Sequence, residues 1–284
     1  MATIAPVRPS ALAGTWYEGD PRNLARSVDQ YLDQAELPEL PGEVVAVIAP
    51  HAGHFYSGPV AGYAFAAVRG ASPDLVAVLS PIHRDYYDPI LTTAHMAYST
   101  PLGQIAVDDE SVAMLDAHLQ GILDFRLTRV ANDKEHSLEI ELPFLQRALA
   151  GDFKLLPVMV HALPLKALQG LGTALAETLR GRNALLVAST DLSHFYTQNE
   201  ALSFDTEMLR RIESFSPEDV FSAEKEAKGF ACGLGALTAV LWAAKELGAD
   251  SVKVLRHATS GDVTGDYNQV VGYGAAVVLR SNRH

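Results

Sequence analysis

Three histidines in this chain each lie a few residues past a run of β-type apolar residues. Val44–Ala49 leads to Pro50-His51-Ala52-Gly53, and Leu75–Leu79 leads to Ser80-Pro81-Ile82-His83. Ala184–Ala188 leads to Ser189-Thr190-Asp191-Leu192-Ser193-His194. In open α/β sheets ligands bind outside the carboxyl ends of the strands. Parallel neighbours are about 4.8 Å apart, so imidazoles from strands one or two places apart can converge on one ion or small substrate. Asp191, three residues before His194, is read in two ways. A carboxylate near a histidine fixes its tautomer for acid–base work; alternatively Asp191 caps a helix whose first turn holds Leu192, Ser193 and His194. The single cysteine, Cys232, lies in Gly229-Phe230-Ala231-Cys232-Gly233, directly before an apolar helical stretch. A thiol at a helix N-terminus is expected to ionise more readily and to serve as metal ligand or nucleophile. The plainer alternative is a small buried hydrophobe. With strand-end histidines available, the reading favoured is a site of two histidines and one cysteine, with coordination positions left for substrate or water.

The elements that must carry these residues alternate between strand-like and helix-like. Helices are expected over Pro21–Ala35 (Asp20 as N-cap), Val60–Val68, Asp108–His118, Ser137–Ala150 with a kink at Pro143, Leu165–Leu179, Asn199–Ser214, Pro217–Lys228 and Leu234–Leu247. Strands are expected over Val44–Ala49, Leu75–Leu79, Phe125–Val130, Phe153–Val160, Ala184–Ala188, Ser251–His257 and Val270–Leu279. Pro89–Ala94 and Gln104–Val107 read as a hairpin or edge excursion. The alternation points to an α/β fold, a mainly parallel sheet covered on both faces. With no internal repeat and no linker long enough to divide the chain, residues 1–284 read as one domain. At that length roughly 75% of the unfolded surface is buried.

Composition narrows the partners. The balance of 22 Lys+Arg against 34 Asp+Glu, a net charge of −12, argues against nucleic acid, whose binding leans on clustered cations. Arg180–Arg182 and Arg210–Arg211 read as solvated helix ends. Met1–Trp16 has no apolar core of signal-peptide length, and no apolar run approaches the ~18 residues of a membrane span. A single cysteine forms no intrachain disulfide, which fits a reducing, cytoplasmic setting. His95, His118, His161 and His257 have no flanking pattern and are read as structural. His54 is read as an extra pocket donor or an exposed side chain.

Six motifs, taken together, resemble the Memo family, which includes the group called AmmeMemoRadiSam system protein B. They are Ala13-Gly14-Thr15-Trp16-Tyr17, Ala49–Gly53, Ser80–His83, Glu135-His136-Ser137-Leu138-Glu139, Ser189–His194 and Ala231-Cys232-Gly233. They occur in the family's order, and the resemblance runs from about Pro9 to Leu279. The resemblance implies a single three-layer α/β/α domain like that of class III extradiol dioxygenases, which hold non-haem Fe(II) with two histidines and a carboxylate. Carried over, it implies His51 and His83 as metal ligands, with Cys232 in the carboxylate's place. It makes His194 the acid–base histidine beside Asp191, and Trp16 and Tyr56 walls of a substrate pocket. The Glu135–Glu139 motif is read as an outer layer around the site. Fe(II) is the expected metal. The thiolate shifts affinity toward Cu or Zn(II) and oxidises more readily, which sits badly with repeated oxygen activation. The expected activity is an oxidation of an unidentified substrate. The alternatives are a small-molecule or peptide-binding cleft without catalysis, or a subunit working with radical-SAM system proteins.

Overall fold

The computed structural model describes residues 5–281. The first four residues of the Met1–Trp16 stretch lie outside that range. In chain order the elements are β1 (Val7–Arg8), α1 (Pro21–Asp33), β2 (Glu43–Ala49), α2 (His54–Ala66), β3 (Leu75–Pro81), β4 (Ile90–Thr93), β5 (Ala97–Thr100) and β6 (Gly103–Ala106). They continue with α3 (Asp109–Leu123), β7 (Thr128–Val130), α4 (Glu141–Ala148), β8 (Lys154–Val160), α5 (Leu165–Leu179), β9 (Ala184–Ser189) and β10 (His194–Tyr196). The last are α6 (Gln198–Glu213), α7 (Pro217–Lys225), α8 (Leu234–Glu246), β11 (Ser251–Thr259), α9 (Gly261–Thr264) and β12 (Val270–Arg280).

Nine strands form the main sheet, in the order β10-β12-β2-β9-β3-β8-β4-β7 with β11 on β12. The four in the middle, β2, β9, β3 and β8, are mutually parallel, while β12 and β4 join them antiparallel. Parallel strands must be covered on both faces, and the side-chain alternation shows it. Leu75, Ala77 and Leu79 of β3 enter one core with α3, α5, α6, α7 and α8. Val76 and Val78 enter the other, with α1, α2 and α4. The result is the expected three-layer α/β/α arrangement. Because the central strands run the same way, β2, β9, β3 and β8 all end on one edge, where Ala49 pairs Ser189 and Pro81 pairs Val160. That edge carries the histidines.

Several local expectations are corrected. Ile90–Thr93 and Gly103–Ala106 do not form a hairpin with each other. The former lies in the main sheet between β8 and β7, and the latter pairs β5 in a separate β1-β5-β6 sheet. β5 and β6 are joined by a turn at Pro101-Leu102, after which Gly103 opens β6 at φ 134°, a conformation that glycine adopts without strain. The Ser137–Ala150 helix begins only at Glu141, so Pro143 sits in its first turn. There a missing N–H costs no helical bond, and no kink is required. The helix expected from Val60 begins at His54; Pro59 is tolerated within it, its lost bond falling on the exposed Phe55 turn. Arg211 is not a solvated helix end. It is buried, paired with Glu207 and Glu226, and donates to the Asp219 carbonyl.

Candidate functional site

The turn after β2 places the His51 ring against the end of β9 and the Cys232 thiol. The buried Asp191 carboxylate accepts the His51 backbone N–H at 2.8 Å, which fixes the turn. Asp191 thus caps the 51–53 turn, not a helix at 192–194. Those residues form no helix: His194 opens β10, and its Nδ1 lies 2.8 Å from the Leu192 carbonyl oxygen. The helix-cap reading of Asp191 is therefore replaced, and it is the Leu192 carbonyl that holds His194 Nδ1. A carbonyl only accepts, so His194 carries its proton on Nδ1 and its lone pair on Nε2.

His51 Nε2 lies 3.2 Å from Cys232 Sγ, and its Nδ1 lies 2.8 Å from Ser189 Oγ. The Asp191 backbone N–H donates to the same sulfur at 3.2 Å. Gly233 permits this approach of the α8 entry to β9, because a Cβ there would collide with the Ser189 carbonyl. The thiol is not the activated one expected at a helix start. Burial pushes its pKa up, and the neighbouring Asp191 carboxyl pushes the same way, outweighing the backbone donors. Burial also lifts Asp191 to about 7 despite its backbone donors at His51 and Ala52. His51 is driven well below 6.5 by burial, and His136 and His83 add to the effect, so the ring is neutral.

The second half of the cluster comes from the loop after β7. Glu135, buried at 1% exposure, accepts the His83 backbone N–H at 2.6 Å and His83 Nδ1–H at 2.9 Å. It also accepts the backbone N–H groups of His136 and Ser137 at 2.9 and 3.0 Å. Burial alone would raise its pKa; the His83 and Ser137 donors override that and hold it far below the ordinary carboxylate range. An ionised Glu135 gripping Nδ1 leaves His83 Nε2 free, the outer-partner arrangement that orients metal-binding histidines. The His136 ring stacks on His83 with centroids 4.6 Å apart, and burial lowers its pKa to about 4.

The loop itself hangs on Arg8, which sequence reading passed over. Its guanidinium is fully buried, pairs with Asp133 at 2.8 Å and Glu139 at 2.6 Å, and donates to the Glu135 carbonyl at 2.8 Å. Glu139 accepts further bonds from the Ala11 and Leu12 backbone and from the Tyr17 hydroxyl. Two sets of ligand atoms lie within 4.8 Å of one another among the described residues: His51, His83 and His136, and His51, Asp191 and Cys232. His51 is common to both. The expected triad of His51, His83 and Cys232 thus straddles the two sets, and His194 belongs to neither. His136 was not singled out. Its only signal was its place in the Glu135–Glu139 motif, since no apolar run precedes it.

Two cavities flank the cluster. One of about 480 Å³ is lined by His83, Cys232 and largely apolar side chains including Ile82, Val160, Phe221 and Leu234. Trp16 and Tyr56 line the other, of about 510 Å³, together with Phe55, Phe195 and Tyr273. Trp16 also meets the His136 ring at 4.5 Å. His54 is neither a pocket donor nor exposed. It is buried between Tyr17 and Phe144, with Nε2 3.1 Å from the Ile140 carbonyl. His95 and His257 are structural as expected, the first holding Ala5 and Asn132, the second pairing with Asp205. No helix among the described residues is long and apolar enough to cross a membrane.

Known proteins match this chain along almost its whole length. The family model described as Memo-like protein matches residues 8–277. A MEMO1 family protein of Methanopyrus kandleri is 34% identical over 283 residues, covering 96% of this chain and 99% of the relative. One of Nitrosopumilus maritimus is 33% identical over 273 residues, covering 95% and 98%. One of Methanosarcina mazei is 34% identical over 274 residues, covering 96% and 99%. With the motifs in register and the match extending from the Arg8 anchor to the last strand, the chain belongs to the Memo family.

Proposed function

We propose that this chain holds one transition-metal ion on His51, His83 and Cys232, with His136 beside them, and oxidises a small, largely apolar substrate there. The observation that carries the reading is the convergence of neutral or outward-facing imidazole nitrogens and a thiol at the strand ends. Glu135 fixes His83 from behind. The donor set fits a metal: imidazole and thiolate together suit Fe(II), Cu and Zn(II), with Fe(II) ranked first by the family's likeness to extradiol dioxygenases. A bound ion would supply a Lewis acid and, for iron or copper, a redox-active centre.

The chain's own groups define the rest. The 480 Å³ cavity reaching His83 and Cys232 has the size and apolar walls of a small-molecule site. His194, with burial lowering its pKa, is neutral at pH 7 and offers Nε2 as proton acceptor. Cys232 must surrender its proton to bind a metal, so binding there would release a proton and depend on pH.

Anaerobic calorimetric titration of metal-free protein with Fe(II), Zn(II) and Cu(I), with elemental analysis, tests the reading. One tight equivalent, abolished in Cys232→Ser, supports it; no binding beyond background removes it. In that second case the exposed aromatics Trp16, Phe55, Tyr56 and Phe195 around the 510 Å³ cavity favour a binding cleft for a peptide or partner protein.

A further inference from the structure

Behind His51, on the side away from Cys232, Ser189 Oγ is surrounded by three polar groups. His51 Nδ1 is at 2.8 Å, the Ser137 carbonyl oxygen at 2.7 Å and Glu141 Oε1 at 2.6 Å. A serine hydroxyl has one proton to give and two lone pairs to receive. The Ser137 carbonyl is an acceptor only, so it takes the single hydroxyl proton. The other two neighbours must then each present a hydrogen to Ser189. For His51 that means a proton on Nδ1. For Glu141 it means a carboxylic acid. The alternative, an ionised Glu141, would leave two acceptors competing for one proton in a site without water access.

Glu141 is fully buried in the first turn of α4, and its second oxygen has no hydrogen-bond partner in the structure. An orphaned carbonyl oxygen of a neutral acid is costly, but an orphaned oxygen of a buried carboxylate is far costlier. Burial, and the field of Asp191 in the same direction, push the Glu141 pKa well above the usual carboxylate range despite the Ser189 contact.

We propose that Glu141 is a positioning residue of the metal centre: as a neutral acid it donates to Ser189, which accepts a hydrogen bond from His51 Nδ1–H and so fixes the His51 Nε2 lone pair toward Cys232 and the metal. This rests on the metal-site reading above for its purpose, though not for its hydrogen-bond logic. The arrangement inverts the usual one. His83 is oriented by an ionised carboxylate in direct contact, whereas His51 is oriented by an uncharged acid through a hydroxyl. Outer partners of metal-binding histidines commonly change metal affinity by 10–100-fold.

Spectroscopy of the metal-free protein tests the proposal without depending on activity. Infrared difference spectra of wild type against Glu141→Gln at neutral pH are expected to show a carboxylic-acid carbonyl band. Nitrogen-15 spectra are expected to show His51 Nδ1 protonated and Nε2 bare in wild type, and a tautomer mixture in Ser189→Ala. Zinc affinity should then fall by about 10-fold or more in Glu141→Ala and stay within about 3-fold in Glu141→Gln, which keeps a donor toward Ser189. Absence of the acid band, or His51 protonated on Nε2, overturns the proposal. So does equal loss of affinity in the two variants. If wild type binds no zinc while the band and tautomer are as expected, the metal reading fails and the proton assignment of Glu141, Ser189 and His51 stands without it. Should Glu141→Gln fail to fold, the Ser189→Ala spectra and the Glu141→Asp comparison, in which a shortened acid restores only part of the His51 signal, still decide it.

Discussion

His51 is shared by two donor sets that are built differently. On one side His83 and His136 are held by Glu135, a buried carboxylate saturated with N–H donors and kept ionised. On the other, Asp191 and Cys232 are pushed by burial toward their protonated forms. The imidazole side has its fixed charge and its orientation before any ion arrives. The thiol side must release a proton to take part. In the proposed centre geometry would be set on the rigid imidazole side, and the proton cost of binding would fall on Cys232. The supporting structure differs as well. The imidazole side rests on a loop tied to the chain's start by Arg8, the thiol side on strand β9 and the entry to α8.

The comparison can be broken at its foundation first. Arg8→Met removes the guanidinium that pairs with both Asp133 and Glu139 and leaves two buried carboxylates without it. Losing one partner of a buried ion pair costs about 3–5 kcal/mol, so chemical denaturation should show a loss of at least that size, and His136 should lose its fixed place. The thiol side is tested next: Cys232→Ser should weaken zinc binding by more than about 100-fold while circular dichroism stays unchanged, since outer partners alone are worth 10–100-fold. Glu135→Gln, acting from behind, should weaken it by about 10–100-fold. The same variant has a pH signature. A carboxyl whose folded pKa lies below its ordinary 4.5 contributes stability that is complete above that pH and is lost as pH falls through the folded value. Stability measured from pH 6 downward should therefore fall less steeply in Glu135→Gln than in wild type. The smallest effect is expected from His194→Ala, which should leave metal affinity within about 2-fold, an energy change below about 0.5 kcal/mol, and reduce turnover instead. Loss of metal in that variant would make His194 a ligand.

The two sides were also unequally legible in the sequence. His51 and His83 announce themselves because uninterrupted apolar runs mark buried parallel strands, and the first polar residues beyond such a run lie at the sheet edge. Cys232 was visible as a singleton beside glycine, but its pKa direction was not. Whether the helix start or burial wins depends on how far the folded chain encloses the thiol, with Asp191 at the β9 end adding to burial. His136 follows the short edge strand β7, whose three residues carry little pattern, and Glu141 looks like an ordinary polar position in an amphipathic helix. Arg8 lies more than 120 residues from its partners, and no local rule connects them. The hairpin error has the same origin: β4 and β6 are similar short strands, and which sheet each joins is decided by long-range pairing.

The central claim is that imidazole and the Cys232 thiolate bind one ion together. X-ray absorption at the zinc edge of the protein loaded with one equivalent of Zn(II) tests it most directly. The account predicts one sulfur at about 2.3 Å together with nitrogen ligands at about 2.0–2.1 Å, and loss of the sulfur shell in Cys232→Ser. A shell of nitrogen and oxygen alone in the wild type would contradict it, placing any ion on the imidazole side and leaving the cysteine an uncoordinated thiol.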